Sequence, residues 1–236
     1  RPPRTGGGRR LTIFERLARA KLYSPHQRDQ PLPLLRVLRS EFLHVPRVRR
    51  EGARADAHPV EGGEGGGFKN PEEVSTLVLL QAVRAAVDVP LVAAGGICDG
   101  RGMAAAFALG AEAVQMGTRF VSSAESPVHD NYKSAIVDAP TTGTYVLNKK
   151  ASPCIRALKT ERTHKIFDEG LMPPDTFKNI LDLYFGGDME ASVGLAGQTS
   201  GLIDEVKPVA EIIETMVGEF HDITGKMGRL AAERSF

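Results

Sequence analysis

Pro90-Leu-Val-Ala-Ala-Gly-Gly-Ile-Cys-Asp-Gly-Arg-Gly-Met-Ala-Ala-Ala-Phe-Ala-Leu-Gly-Ala-Glu-Ala-Val-Gln-Met-Gly-Thr-Arg-Phe120 is the stretch on which the fold turns. Residues 91–94 are an apolar run that ends at Gly95 and Gly96. Residues 103–109 are good helix formers, and Gly110 stops them where a C-terminal glycine would. Residues 113–116 then run into Gly117-Thr118. Two strands that each end in glycine, joined by a helix, make a βαβ unit and therefore a parallel sheet. Glycines at the carboxyl ends of parallel strands let backbone N–H groups approach a ligand closely, and phosphate is the usual one. A plain βα turn needs one glycine. Here a pair is matched by Gly117-Thr118 on the neighbouring strand, so the pattern predicts a phosphate site at Gly95, Gly96, Gly117 and Thr118.

Outward from this unit, the glycine run Gly62-Gly-Glu-Gly-Gly-Gly67 calls for open backbone. It stands directly before a predicted helix, which favours a ligand loop over a linker. For that helix the signals are Asn70 as N-cap, Pro71 as first residue, and an apolar side of Val74, Leu77, Val78, Val83 and Val87. The residues before the run, 55–61, occupy a strand position. His58-Pro59 is poor strand material, and His58 is expected to face solvent. Further along, residues 119–129 read as a loop, 131–136 as a helix and 141–147 as a short strand. Residues 206–220 read as an amphipathic helix with Val209, Ile212, Ile213, Met216 and Val217 toward the core. Gly197-Gln198 before it could reach a ligand.

Composition narrows the class. With 236 residues, 42% hydrophobic and 25% charged, the chain has the make-up of a globular α/β protein large enough to bury a core. Cys98 and Cys154 lack metal or disulfide-framework spacing, which fits a reducing, cytoplasmic setting. Cys98 reads as a small residue at a packed turn rather than a nucleophile. His129 and His164 stand in no metal or triad spacing and read as surface or satisfied histidines. No apolar run reaches membrane-spanning length. The net charge of +1 conceals a basic start: residues 1–54 hold 14 Lys+Arg against 4 Asp+Glu. That segment is broken by proline and lacks the aromatic interleaving of base-stacking proteins, so it reads as a basic, irregular leader rather than a nucleic-acid arm. The expected division is therefore 1–54 leader, 55–222 barrel domain and 223–236 tail.

From about Gly52 to Phe220 the chain resembles the nitronate monooxygenase (2-nitropropane dioxygenase) family. The matching pieces are Gly62-Gly-Glu-Gly-Gly-Gly67, Val92-Ala-Ala-Gly-Gly-Ile97, residues 105–110, Gln115-Met-Gly-Thr-Arg-Phe120, Glu125-Ser-Pro127 and Ala196-Gly-Gln198. The resemblance implies an α/β fold, a TIM-type (β/α)8 barrel of which this chain carries the C-terminal part, holding FMN non-covalently. It places Gly66, Gly96 and Gln115, Met116, Gly117 and Thr118 at the flavin, the last group at its phosphate. It implies a small-molecule substrate, oxidation of alkyl nitronates with O2 as acceptor, and leaves room for a homo-oligomer.

Two departures accompany the resemblance. The family's glycine loop ends in histidine, and Phe68 occupies that position here, so it cannot act as a base and the catalytic residue is unknown. Glu61 stands where the family carries glutamine. Other readings remain. One is an NAD(P)H-dependent flavin reductase of quinone or enoyl type on the same fold. Another is an inactive flavin-binding remnant, and a third is a basic-tailed interaction protein. A nucleotide dehydrogenase of the inosine monophosphate dehydrogenase kind would need a cysteine loop before the phosphate turn, and no cysteine precedes Cys98.

Overall fold

The computed structural model describes residues 57–233; the expectations for residues 1–54 lie outside them. Among the described residues, β1 (His58–Glu61), β3 (Leu91–Ala94) and β4 (Ala113–Gln115) form a parallel sheet in the order β1-β3-β4. A second, antiparallel sheet joins β2 (Gly67–Phe68), β6 (Ile155–Leu158) and β5 (Thr144–Leu147), in the order β2-β6-β5. The helices are α1 (Thr76–Arg84), α2 (Gly100–Ala108), α3 (Thr118–Val121), α4 (Asp130–Val137), α5 (Glu161–Glu169), α6 (Ile180–Tyr184) and α7 (Val209–Glu233). The β3-α2-β4 unit and the parallel pairing are as the glycine pattern predicts. Val92 lies opposite Ala113 and Ala94 opposite Gln115.

The parallel sheet is apolar because helices cover it. Val60, Leu91 and Ala93 pack with Leu80 and Val83 of α1 and with Ala106 of α2. Gly110, at φ +97°, ends α2 in the left-handed conformation that glycine adopts without strain. A second cluster gathers Tyr132, Ile136, Leu158, Leu183, Ala196 and Ile203. Helix α7 crosses α2 at Gly100, where an added Cβ would lie 2.6 Å from Met216 O and Phe220 N. At this crossing the Gly100 N–H donates to Glu219 Oε2 (2.8 Å), and Phe107 meets Phe220 edge-on at 5.1 Å.

Several expectations are corrected. His58 does not face solvent. It is 1% exposed in β1, and Pro59 is tolerated because among the described residues β1 pairs on one side only, with β3. The helix expected at Asn70-Pro71 begins at Thr76. Asn70 Oδ1 instead accepts from the Glu72 N–H in a local turn, and Glu73 sits at φ +49°, outside helical geometry. The buried face of α1 is consequently Thr76, Leu80 and Val83, while Leu77 and Val78 are more than half exposed. On α7 only Ile212 and Met216 are buried, with Ile213 and Val217 turned outward, and the helix runs on to Glu233. Residues 119–129, read as loop, begin with the single turn α3.

Candidate cofactor site

The carboxyl ends of β1, β3 and β4 open into one cavity of about 300 Å³. Gly66, Gly95, Gly96, Gln115, Met116, Gly117 and Thr118, separated by up to some fifty positions in the chain, all line it, and so does Phe68. Gly95 (φ +79°) and Gly96 (φ +74°) turn the chain off β3 in the left-handed region. A Cβ on Gly95 would lie 2.9 Å from Gly65 N, so the two glycine loops touch only because Gly95 lacks a side chain. At Gly117 a Cβ would meet nothing within 4 Å, so the backbone there is open to the cavity. Neither the Gly96 nor the Gly117 N–H donates to a backbone acceptor among the described residues. Glycine backbone with available amides at the ends of adjacent parallel strands suits an anionic group such as phosphate.

The glycine run is pinned from every side. The Gly62 N–H donates to Ala94 O (3.1 Å), and the Gln198 N–H donates to Glu64 O (2.9 Å). Glu64 Oε2 accepts from both the N–H and the hydroxyl of Thr76 (2.9 Å each), so a loop carboxylate caps α1 in place of Ser75, whose side chain makes no capping bond. Arg156 of β6, buried, donates from Nε to Gly63 O (2.8 Å) and from Nη2 to Glu73 Oε1 (2.8 Å), while Lys149 pairs with the other Glu73 oxygen. The run then enters β2, with Gly67 opposite Arg156 and Phe68 opposite Ile155. Gly197 closes the far side, its N–H donating to Thr118 Oγ1 (2.9 Å).

Beyond the expected set, Glu61, Glu64, Gly65, Ile97, Leu195 and Gly197 also face the cavity. Gly197 carried a signal in its Gly-Gln turn; Glu64 was masked by the glycines around it. Glu61 ends β1 and pairs with Lys69 at 2.5 Å. The remaining singled-out residues serve the scaffold. Glu125 accepts from the Val209 N–H (2.9 Å) and so caps α7. His129 Nδ1 accepts from the Asn131 N–H (3.1 Å) at the start of α4. His164, exposed, lies 3.4 Å from Asp168 and 2.9 Å from the Tyr145 hydroxyl. Burial, reinforced by Asp99, pushes the Cys98 thiol up to about 11, so it is protonated at neutral pH and no nucleophile. Among the described residues there is no metal-holding cluster and no helix long and apolar enough to cross a membrane.

Comparison with known proteins identifies the family. The nitronate monooxygenase family matches residues 34–219. Over 129 residues, 55% of this chain, it is 44% identical to (3aS,4S,5R,7aS)-5-hydroxy-7a-methyl-1-oxo-octahydro-1H-indene-4-carboxyl-CoA dehydrogenase of Rhodococcus jostii, of which it covers 35%. It is 33% identical to nitronate monooxygenase of Pseudomonas aeruginosa, over 72% of this chain and 52% of that protein. The structure of FabK from Thermotoga maritima superposes with a TM-score of 0.74 at 44% identity, covering 82% of this chain and 62% of FabK. The chain thus spans about a third to a half of those two curated relatives. With its parallel βα units and glycine-lined cavity, the chain belongs to the nitronate monooxygenase family of flavin-dependent, TIM-type barrel oxidoreductases.

Proposed function

We propose that this chain holds FMN in the glycine-lined cavity and serves the oxidation of alkyl nitronates, with O2 as electron acceptor. The supporting observation is the convergence of Gly66, Gly95, Gly96 and residues 115–118 on one cavity whose backbone at Gly117 is open. In this reading Gly96, Gly117 and Thr118 receive the phosphate. Gln115 and Met116, at the end of β4, and Gly66, across the cavity, flank the ring system. The flavin, when bound, supplies the two-electron chemistry. The protein's own contribution is to bind, orient and shield: the pinned glycine loop presents backbone rather than side chain to the ligand, and Phe68 forms part of the wall. The substrate is a small molecule.

Absorption spectra before and after adding FMN test the reading. Flavin bands that survive desalting, followed by O2-dependent consumption of a nitronate, are the expected result; a protein that takes up no FMN refutes it. A second reading, dehydrogenation of an acyl-CoA thioester, draws support from the 44% identity to the Rhodococcus dehydrogenase, against 33% to the Pseudomonas nitronate monooxygenase. Loss of nitronate turnover with retention of acyl-CoA-dependent flavin reduction would favour it.

A further inference from the structure

Glu61 and Glu64 are the two ionisable side chains among the residues that line the cavity. They are not equivalent. Glu64 Oε2 is held by the backbone and hydroxyl of Thr76 and serves as a helix cap. Glu61 is held by Lys69, and the two ends of this pair differ in access: the lysine side chain is 2% exposed, the glutamate side chain 21%. The pair therefore turns its carboxylate, not its ammonium, toward the cavity. Gly65 makes room for it, since a Cβ there would lie 2.7 Å from Lys69 Nζ and closer still to Glu61 Oε1. A side chain at 65 would displace the ion pair built beneath the loop.

We infer that Glu61 is the proton-transfer residue of this cavity, held in place by Lys69. The proton it takes is the one on the carbon next to the electron-withdrawing group of a nitroalkane or an acyl thioester. The inference rests on the proposed flavin oxidoreductase reading and deepens it. In the step, the α C–H bond breaks, an O–H bond forms at a Glu61 carboxylate oxygen, and the electron pair stays on the substrate, delocalised into the nitro or carbonyl group. Lys69 then balances the carbanion instead of the carboxylate, so the cavity's net charge does not change.

The experiment uses the full chain in D2O without oxygen, with nitroethane as probe. Exchange of its α-protons is followed by NMR, and FMN uptake by fluorescence quenching. Wild type should accelerate exchange over buffer. E61Q should lose on the order of 100-fold of that acceleration while its circular dichroism spectrum matches that of wild type. Because E61Q strands the Lys69 charge, the E61Q/K69M double variant, which removes both charges, serves as a second test and should also lack exchange. Exchange that persists in either variant overturns the inference, as does a wild type that binds FMN and oxidises nitronates but exchanges no protons. A wild type that exchanges protons yet binds no FMN refutes the flavin reading and leaves Glu61 as the base.

Discussion

Gly117→Ala should leave the fold intact and weaken FMN binding. Gly117 has φ −94° and ψ −69°, a conformation alanine adopts without strain, and its added methyl would meet nothing within 4 Å. By restricting the unfolded chain, the substitution should raise stability by about 0.4–1 kcal/mol. The same methyl projects into the space where a phosphate would approach the backbone. Displacing one charge-assisted hydrogen bond costs about 1.5–3 kcal/mol, roughly a ten- to hundredfold rise in Kd. Gly170→Ala is the converse control. Gly170 also has open space around it, but it closes α5 at φ +73°, away from the cavity. Its alanine variant should lose about 1–2 kcal/mol of stability and keep wild-type affinity. Urea denaturation of the FMN-free protein and fluorescence titration with FMN give the two readouts. A Gly117→Ala protein that binds FMN like wild type would refute the placement of the phosphate.

Three other outcomes are expected. Arg156→Met removes the clamp between β6, Gly63 and Glu73, and should cost about 3 kcal/mol in urea denaturation, since it breaks a buried, multiply bonded charge pair. Cys98, its thiol raised to about 11, should alkylate very slowly at pH 8, where only about 0.1% is thiolate, and about tenfold faster per pH unit up to 11. The sign follows for stability: the unfolded thiol ionises first, near 9, so the folded state should lose stability as pH rises from 9 to 11 and none below. Gly100→Ala should lower stability by about 1–3 kcal/mol in thermal melts, because the α2–α7 crossing leaves no room for a methyl.

What the sequence made legible was the periodic and the glycine-marked. The strand Leu91–Ala94, the stop at Gly110 and the pairing of β3 with β4 follow from local composition, and so does the convergence of the two glycine turns on one cavity. What stayed hidden depended on partners far away in the chain. Asn70-Pro71-Glu72-Glu73 has every local mark of a helix start. Yet Arg156, 83 positions on from Glu73, holds that carboxylate, and Glu64 supplies the cap at Thr76 instead. With α1 beginning five residues later, Leu77 and Val78 point outward, and Leu80 joins Val83 on the buried face. His58 misled in the same way, because strand pairing along β3 outweighs the weak propensity of His-Pro. The Glu61–Lys69 pair joins residues eight apart across a turn, and no periodic pattern marks it.

The glycine run's anchoring has a practical meaning for anyone handling this protein. Four of its holds come from Ala94 on one strand, Thr76 on a helix, Arg156 on the other sheet and Gln198, which precedes the C-terminal helix. A ligand seated there would be in place only while all four distant segments are in register. Its fluorescence would then report tertiary folding as a whole, not one loop. The rise in flavin fluorescence as the ligand leaves during a melt should coincide with loss of secondary structure, and excess ligand should raise the midpoint by mass action. Screening for stabilised variants would need only a lamp and a heating block.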